Sequence, residues 1–218
     1  MFEALKYDLE AIRRRDPAAK SNLEVFLLYP GFRALRRHRR AHKLYEKGHF
    51  FLARKISERT KKLTGIEIHP GAKIGKGLFI DHGTGVVIGE TAVIGDDCTI
   101  YQGATLGGTG KDQGKRHPTL GDRVMVGAGA KILGPFRVGD DAKVAAGAVV
   151  LSEVPDHATA VGVPARVVKI RNEKVQEHLD QVHIPDPVAQ ELCRLRSELE
   201  QCRKNCPNAE KNFPGQDA

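Results

Sequence analysis

Imidazoles, carboxylates and a guanidinium are gathered in three short blocks of this chain: GIEIHPGAKIG at 65–75, DHGTGVVIGE at 81–90 and GGTGKDQGKRHP at 107–118. Within the second block an acid, Asp81, stands directly before a histidine, His82. An imidazole titrates near neutrality, so it can take or give a proton under ordinary conditions. A carboxylate beside it fixes its tautomer and stabilises the cation formed as the proton moves. These residue types suit removal of a proton from a weak nucleophile, provided that a scaffold holds them in place.

The scaffold is written in a six-residue period. Ile68, Ile74 and Ile80 open it; after a two-residue slip, Ile88, Ile94, Ile100 and Leu106 continue. Fourteen residues then pass before Leu120, Val126, Ile132, Val138, Val144 and Val150 restore the period, giving thirteen hexads with one interruption. A second small or apolar set recurs two residues ahead of most of them, at Ala72, Leu78, Ala92, Cys98, Ala104, Val124, Ala130, Ala142 and Ala148. Two positions per hexad are therefore expected to face inward.

A helix cannot hold this pattern, because six residues turn it by about 600° and carry successive aliphatics around its axis. A stacked coil with three flat faces can, each coil burying its aliphatics against its neighbours. Glycine often follows the aliphatic residue, at Gly75, Gly89, Gly95, Gly107, Gly121, Gly127 and Gly139, and is predicted to relieve tight corners. The interruption at 107–119 is predicted to leave the coil as an extruded loop, the usual place for binding.

Composition agrees. The 218 residues lack Trp and hold 6% aromatics, which suits a narrow interior of Ile, Val, Leu and Ala. The net charge of +8 is concentrated at the start, where residues 1–64 carry 17 Lys and Arg against 7 Asp and Glu. The basic run RALRRHRRAHK at Arg33 to Lys43 could grip nucleic acid or an acidic membrane surface, but it reads first as a solvated helix face or an intersubunit rim. Neither nucleic acid nor membrane is expected as a partner. No stretch has transmembrane length, and MFEALKYDLEAIRRR lacks the apolar segment of a signal peptide, so a cytoplasmic location is expected, with Cys98, Cys193, Cys202 and Cys206 as reduced thiols.

Three regions follow. Residues 1–64 read as an α-helical cap: Leu5, Leu9 and Ile12 share a face, Asp16-Pro17-Ala18 breaks the chain, Pro30-Gly31 marks a turn, Phe32 to Gly48 form a third helix and Phe50 to Leu63 a fourth. Residues 65–170 are the coil domain, with Pro155 and Pro164 ending regular pairing near its exit. Residues 171–218 form a partly helical tail. In it Val188, Leu192, Leu195, Leu199, Cys202 and Cys206 make a short heptad seam, suited to another subunit's helix or to the open end of the stack. Cys202 and Cys206 lack further ligands at metal spacing, so no metal site is expected.

The hexad run resembles the left-handed parallel β-helix of the hexapeptide-repeat acyltransferases. With the DHGTG, GGTGK and RHP blocks, the chain from Ile66 to about Lys169 resembles the serine acetyltransferases, and the neighbourhood of Asp16 does so more weakly. The resemblance implies acetyl transfer from acetyl-CoA, as cosubstrate, to the hydroxyl of L-serine, in cysteine biosynthesis and without a metal. It makes His82 the general base and Glu67, at a position where Asp is more familiar, its acidic partner. Asp16, Asp81, Arg116 and His117 would then clamp the zwitterion, although Asp16-Pro17 reads equally as a helix start. Gly107, Gly108, Ala128, Lys143 and Ala146 match positions along the coenzyme A path, and read equally as ordinary hexad residues. No cysteine falls in these blocks, so direct attack without an acetyl-enzyme is expected.

The same resemblance implies a homotrimer with sites between adjacent subunits, a hexamer being the alternative, and feedback inhibition by L-cysteine. Family members insert a tail ending in isoleucine into O-acetylserine sulfhydrylase. This chain ends NFPGQDA, which departs from that pattern and leaves the partnership open. Three rivals stand beside this function: a hexapeptide acetyltransferase for another small hydroxyl or amine, a γ-type carbonic anhydrase using His69, His82 and His117, and a non-enzymatic trimeric scaffold.

Overall fold

The computed structural model describes residues 2–110, 113–169 and 187–205. Four helices come first: α1 (Phe2–Arg15), α2 (Asn22–Leu28), α3 (Pro30–Glu46) and α4 (Phe50–Thr64). Pro30 and Gly31 do not form a turn ahead of α3. They are its first residues, because a proline at the first helical position gives up an N–H that has no intrahelical acceptor. The Ser21 hydroxyl caps α2 by accepting from the Glu24 N–H at 3.1 Å. Gly65, left-handed at φ 71°, closes α4 and hands the chain to the coils.

The coils stack as rungs of three strands. The first rung is β1 (Glu67–Ile68), β2 (Lys73–Ile74) and β3 (Phe79–Asp81). The second is β4 (Val87–Ile88), β5 (Val93–Ile94) and β6 (Thr99–Tyr101). The third is β7 (Thr105–Gly107), β8 (Thr119–Leu120) and β9 (Met125–Val126). The fourth is β10 (Lys131–Leu133), β11 (Arg137–Val138) and β12 (Lys143–Val144). A fifth begins with β13 (Val149–Val150), bridges Val154 to Val138 and returns through β14 (Ala158–Val161). An antiparallel strand, β15 (Arg166–Lys169), then closes the stack.

Three sheets result. Sheet A holds β1, β4, β7, β10 and β13; sheet B holds β2, β5, β8 and β11; sheet C holds β3, β6, β9, β12, β14 and β15. The period is the register: Ile68 lies beside Ile88, Ile88 beside Leu106, Leu106 beside Ile132, and Ile132 beside Val150. Twelve of the thirteen hexad aliphatics are buried, and Ile74 is half-buried against the same core. Each large one contributes about 1.5–3 kcal/mol by leaving water. All nine residues of the second set are buried too, Cys98 among them. Its thiol donates to the Gly121 carbonyl, and burial pushes it up to about 12, so it is an inert core residue.

The glycines after the sheet B aliphatics serve stacking rather than the turn itself. A Cβ at Gly75, Gly95, Gly121 or Gly139 would fall within 2.4 Å of the carboxylate of Asp96, Asp122, Asp140 or Asp156 in the next coil. Those carboxylates accept the backbone N–H groups of Lys76, Asp96, Asp122 and Asp140, forming a ladder down the edge between sheets B and C.

The helical cap and coils form one compact unit, Met1–Ile184. Ile12, Val25 and Phe32 of the helices enclose Phe79 of β3. Buried Asp8 of α1 is forked by Arg39 of α3 at 2.8 and 3.0 Å and accepts the Gly77 N–H at 2.7 Å. Residues Pro185–Ala218 are a second unit, containing α5 (Pro187–Asn205). Leu192, Leu195 and Leu199 of the seam are exposed in it. Residues 170–186 of the expected tail, and Cys206, lie outside the described residues.

Candidate active site

The chemistry-bearing blocks fall on two different edges of the prism. On the edge from sheet C to sheet A, glycines stack at Gly85, Gly103, Gly129 and Gly147, all with φ of 70–77°. Asp81 pairs with Tyr101, yet three residues separate Asp81 from Gly85 where one separates Tyr101 from Gly103. The two-residue slip of the hexads is thus an enlarged corner, and His82 stands on it. Its φ of 56° is left-handed, as are those of Asp97, Arg123 and Asp141 on the B-to-C edge.

The His82 side chain is 75% exposed, and its Nε2 lies 4.0 Å from Asp81 Oδ1. Beneath this corner runs Gly65 to Glu67: the Gly85 N–H donates to the Gly65 carbonyl and Glu67 donates to Val86. The Glu67 carboxylate is engaged by Lys61, Nζ to Oε2 2.5 Å, and this bond holds the Lys61 amine above its usual range. Asp16 follows α1; its Oδ1 accepts the Ala18 N–H at 2.8 Å and its Oδ2 accepts the Tyr29 hydroxyl at 2.7 Å. Burial, then the bond to Asp16, push the Tyr29 phenol up to about 12.

On the edge from sheet A to sheet B stand Arg116 and His117 at the end of the extruded loop. The Arg116 guanidinium pairs with Glu90, whose Oε1 accepts the Tyr45 hydroxyl at 2.8 Å. Tyr45 and Arg116 hold the Glu90 carboxyl below its ordinary range, the tyrosine bond being the larger cause. Buried His117 sits against Gly89, where a Cβ would come within 1.9 Å of the ring. Desolvation, then Arg116, keeps His117 below the usual imidazole range. His69, on the same edge, is lowered by burial and packs edge-on to Tyr45. A groove of about 330 Å³ opens here, lined by Tyr45, Gly71, Lys73, Glu90, Thr91 and Lys115 among others.

The coenzyme A candidates divide in the same way. Gly107 and Gly108 lead into the loop on the A-to-B edge: a Cβ at Gly107 would meet Leu133 at 2.7 Å, and one at Gly108 the Arg116 carbonyl at 3.0 Å. Ala128 and Ala146 occupy the C-to-A edge above His82, half-buried and exposed respectively, and Lys143 opens β12. One chain thus brings His82, Asp81, Glu67, Ala128 and Ala146 to one edge, and Arg116, His117, Gly107 and Gly108 to another, with sheet A between them, while Asp16 is held in the helical cap by Tyr29. Lys111 and Asp112 of the loop lie outside the described residues.

Glu90, Thr91, Tyr45, Tyr29 and Lys61 are site neighbours that the sequence did not single out. Glu90 closes the DHGTGVVIGE block, whereas the tyrosines, on or beside helix α3, carried no signal. Among the described residues no three His, Cys, Asp or Glu side chains converge to hold a metal ion, and no helix is long and apolar enough to cross a membrane.

A three-sheet parallel solenoid with an imidazole on one edge and a guanidinium on the next defines a hexapeptide-repeat transferase, and the bacterial transferase hexapeptide family matches residues 117–152. The serine acetyltransferase N-terminal family matches residues 1–37. The chain is 50% identical over 210 residues to the serine acetyltransferase of Bacillus licheniformis, spanning 96% of this chain and 97% of that one. It therefore belongs to the serine acetyltransferase family of acyltransferases. Among solved structures, Neisseria gonorrhoeae serine acetyltransferase in complex with serine superposes with a TM-score of 0.74 at 47% identity, over 77% of this chain and 68% of that one. A serine acetyltransferase in complex with cysteine superposes with a TM-score of 0.80 at 44% identity, over 84% and 71%.

Proposed function

We propose that this chain transfers the acetyl group of acetyl-CoA to the hydroxyl of L-serine, giving O-acetyl-L-serine and coenzyme A, with His82 as general base. Serine Oγ is a poor nucleophile at neutral pH. His82 accepts its proton as Oγ attacks the thioester carbonyl, and the imidazolium then protonates the departing thiolate. The observation that carries this reading is the enlarged corner, which lifts His82 out of the stack beside Asp81.

The substrate ammonium is assigned to Asp81 and Asp16, and its carboxylate to Arg116 and His117. Glu67 is assigned the orienting role toward His82 once the Lys61 ion pair yields. Gly107, Gly108, Ala128, Ala146 and Lys143 line the assigned path of coenzyme A. Because the two halves of this set lie on different edges, the complete site takes His82 from one protomer and Arg116 and His117 from the next around a homotrimer, alone or paired as a hexamer. An exposed base in the single chain fits this assignment, since a neighbouring protomer supplies the wall that excludes water. L-Cysteine, serine with sulfur for oxygen, competes for the same clamp, and the family structure solved with cysteine supports that.

Thiol release from acetyl-CoA with L-serine, homoserine and simple sugars tests the substrate. L-Serine is expected to support turnover and sugars none; equal rates with sugars would remove the assignment. His82→Ala is expected to lower kcat by about 10²- to 10⁴-fold with little change in the acetyl-CoA KM. Glu67→Gln should lower kcat, whereas Asp81→Asn should raise the serine KM.

A further inference from the structure

Thr91 makes five contacts with the end of the extruded loop, one through its carbonyl, which accepts from Lys115 Nζ at 2.7 Å. Its Oγ1 accepts the backbone N–H of Arg116 at 3.0 Å and that of His117 at 3.1 Å. The same oxygen lies 2.9 Å from His117 Nδ1, and the Thr91 N–H donates to Nδ1 at 3.2 Å. A hydroxyl has two lone pairs and one proton. Both lone pairs are used by the two backbone donors, so the hydroxyl proton faces Nδ1.

Nδ1 therefore receives an O–H and an N–H together, and a nitrogen in that position holds no proton of its own. We infer that Thr91 is a positioning residue that fixes the tautomer of His117, leaving the ring neutral with its proton on Nε2. Among the described residues Nε2 makes no hydrogen bond within the chain, so its N–H is the group that His117 offers to a ligand. Gly89 makes room for that side of the ring, since a Cβ there would come within 2.0 Å of Nε2.

The consequence is a division of labour between two histidines. His117 cannot accept a proton through Nε2; it donates a hydrogen bond to an anionic oxygen, the substrate carboxylate beside Arg116. This last step rests on the serine acetyltransferase reading above, whereas the tautomer rests on Thr91 alone. The charged and titratable groups around the ring are Arg116 and Lys115 on its own loop, and Glu90 and His69 on neighbouring corners. The depressed proton affinity of His117 agrees with a ring kept neutral at pH 7.

Long-range proton–nitrogen NMR of the full chain labelled at histidine nitrogens tests this, with His117→Gln identifying the His117 signals. The wild-type protein is expected to show protonated Nε2 and bare Nδ1 from about pH 6.5 to 8. Thr91→Val, which keeps the shape and loses the hydroxyl, should shift His117 toward protonation at Nδ1, raise its pKa and lower kcat/KM for serine by about tenfold. Thr91→Ser should restore the wild-type spectrum and most of the activity. Protonated Nδ1 in the wild-type spectrum would overturn the inference even if Thr91→Val fails to fold, as would an unchanged tautomer in a folded Thr91→Val. If the tautomer is as expected but His117→Gln acetylates serine normally, the assignment of His117 to the substrate fails and the role of Thr91 stands.

Discussion

The Arg116 guanidinium is held by Glu90, which the Tyr45 hydroxyl holds in turn from helix α3. The charge at the end of the extruded loop is thereby tied both to the second rung and to the helical cap. A single-point grip on one terminal nitrogen leaves the other donors of the fork for a second carboxylate.

Glu90→Ala should therefore raise the KM for L-serine by about tenfold, because Arg116 loses its orientation before binding, while kcat falls less. Tyr45→Phe should move KM in the same direction by a smaller factor. Steady-state kinetics at saturating acetyl-CoA check this, and a lower KM in Glu90→Ala would show that Glu90 competes with the substrate instead of orienting its partner.

Gly89→Ala places a methyl group within 1.9 Å of the His117 ring. The backbone there is not left-handed, so the chain can accept alanine, and the ring must move. The expected result is a loss of kcat/KM approaching 10²-fold with a small change in melting temperature. Parallel loss of both would mean that the rung itself had been disrupted.

The prism was legible in the sequence because the inward positions recur every six residues in three runs, a period that a helix cannot hold. The extruded loop was legible for the same reason, as the place where the phase stops. The slip before Ile88 was visible too, but only the register of Asp81 against Tyr101 shows that its extra residues form the corner that carries His82. Counting three hexads to a turn would have placed His82 and His117 on different edges. The glycine positions were found and their cause was not, since the carboxylates they accommodate belong to the next coil. Tyr29 and Tyr45 reach the site from the cap, where no period marks them.

His38 of α3 is buried, and desolvation lowers its pKa from 6.5 to about 3. Its folded pKa is depressed, so the unfolded chain binds the proton more readily. Stability is complete above about pH 6.5 and falls as pH drops from there toward about 3, at up to ~1.4 kcal/mol per pH unit from this group. Denaturant unfolding at pH 7 and pH 4.5 checks it: His38→Gln should lose less stability between the two than the wild-type chain does. An equal loss would place the acid sensitivity elsewhere.

Mixed oligomers test directly whether the site is completed by two chains. His82→Ala and His117→Ala should each be nearly inactive alone. Unfolded together and refolded as an equal mixture, they should recover about one quarter of wild-type activity, because each mixed trimer regains one intact site in three. A mixture as inactive as its two components would contradict a catalytic site shared between His82 of one protomer and His117 of its neighbour.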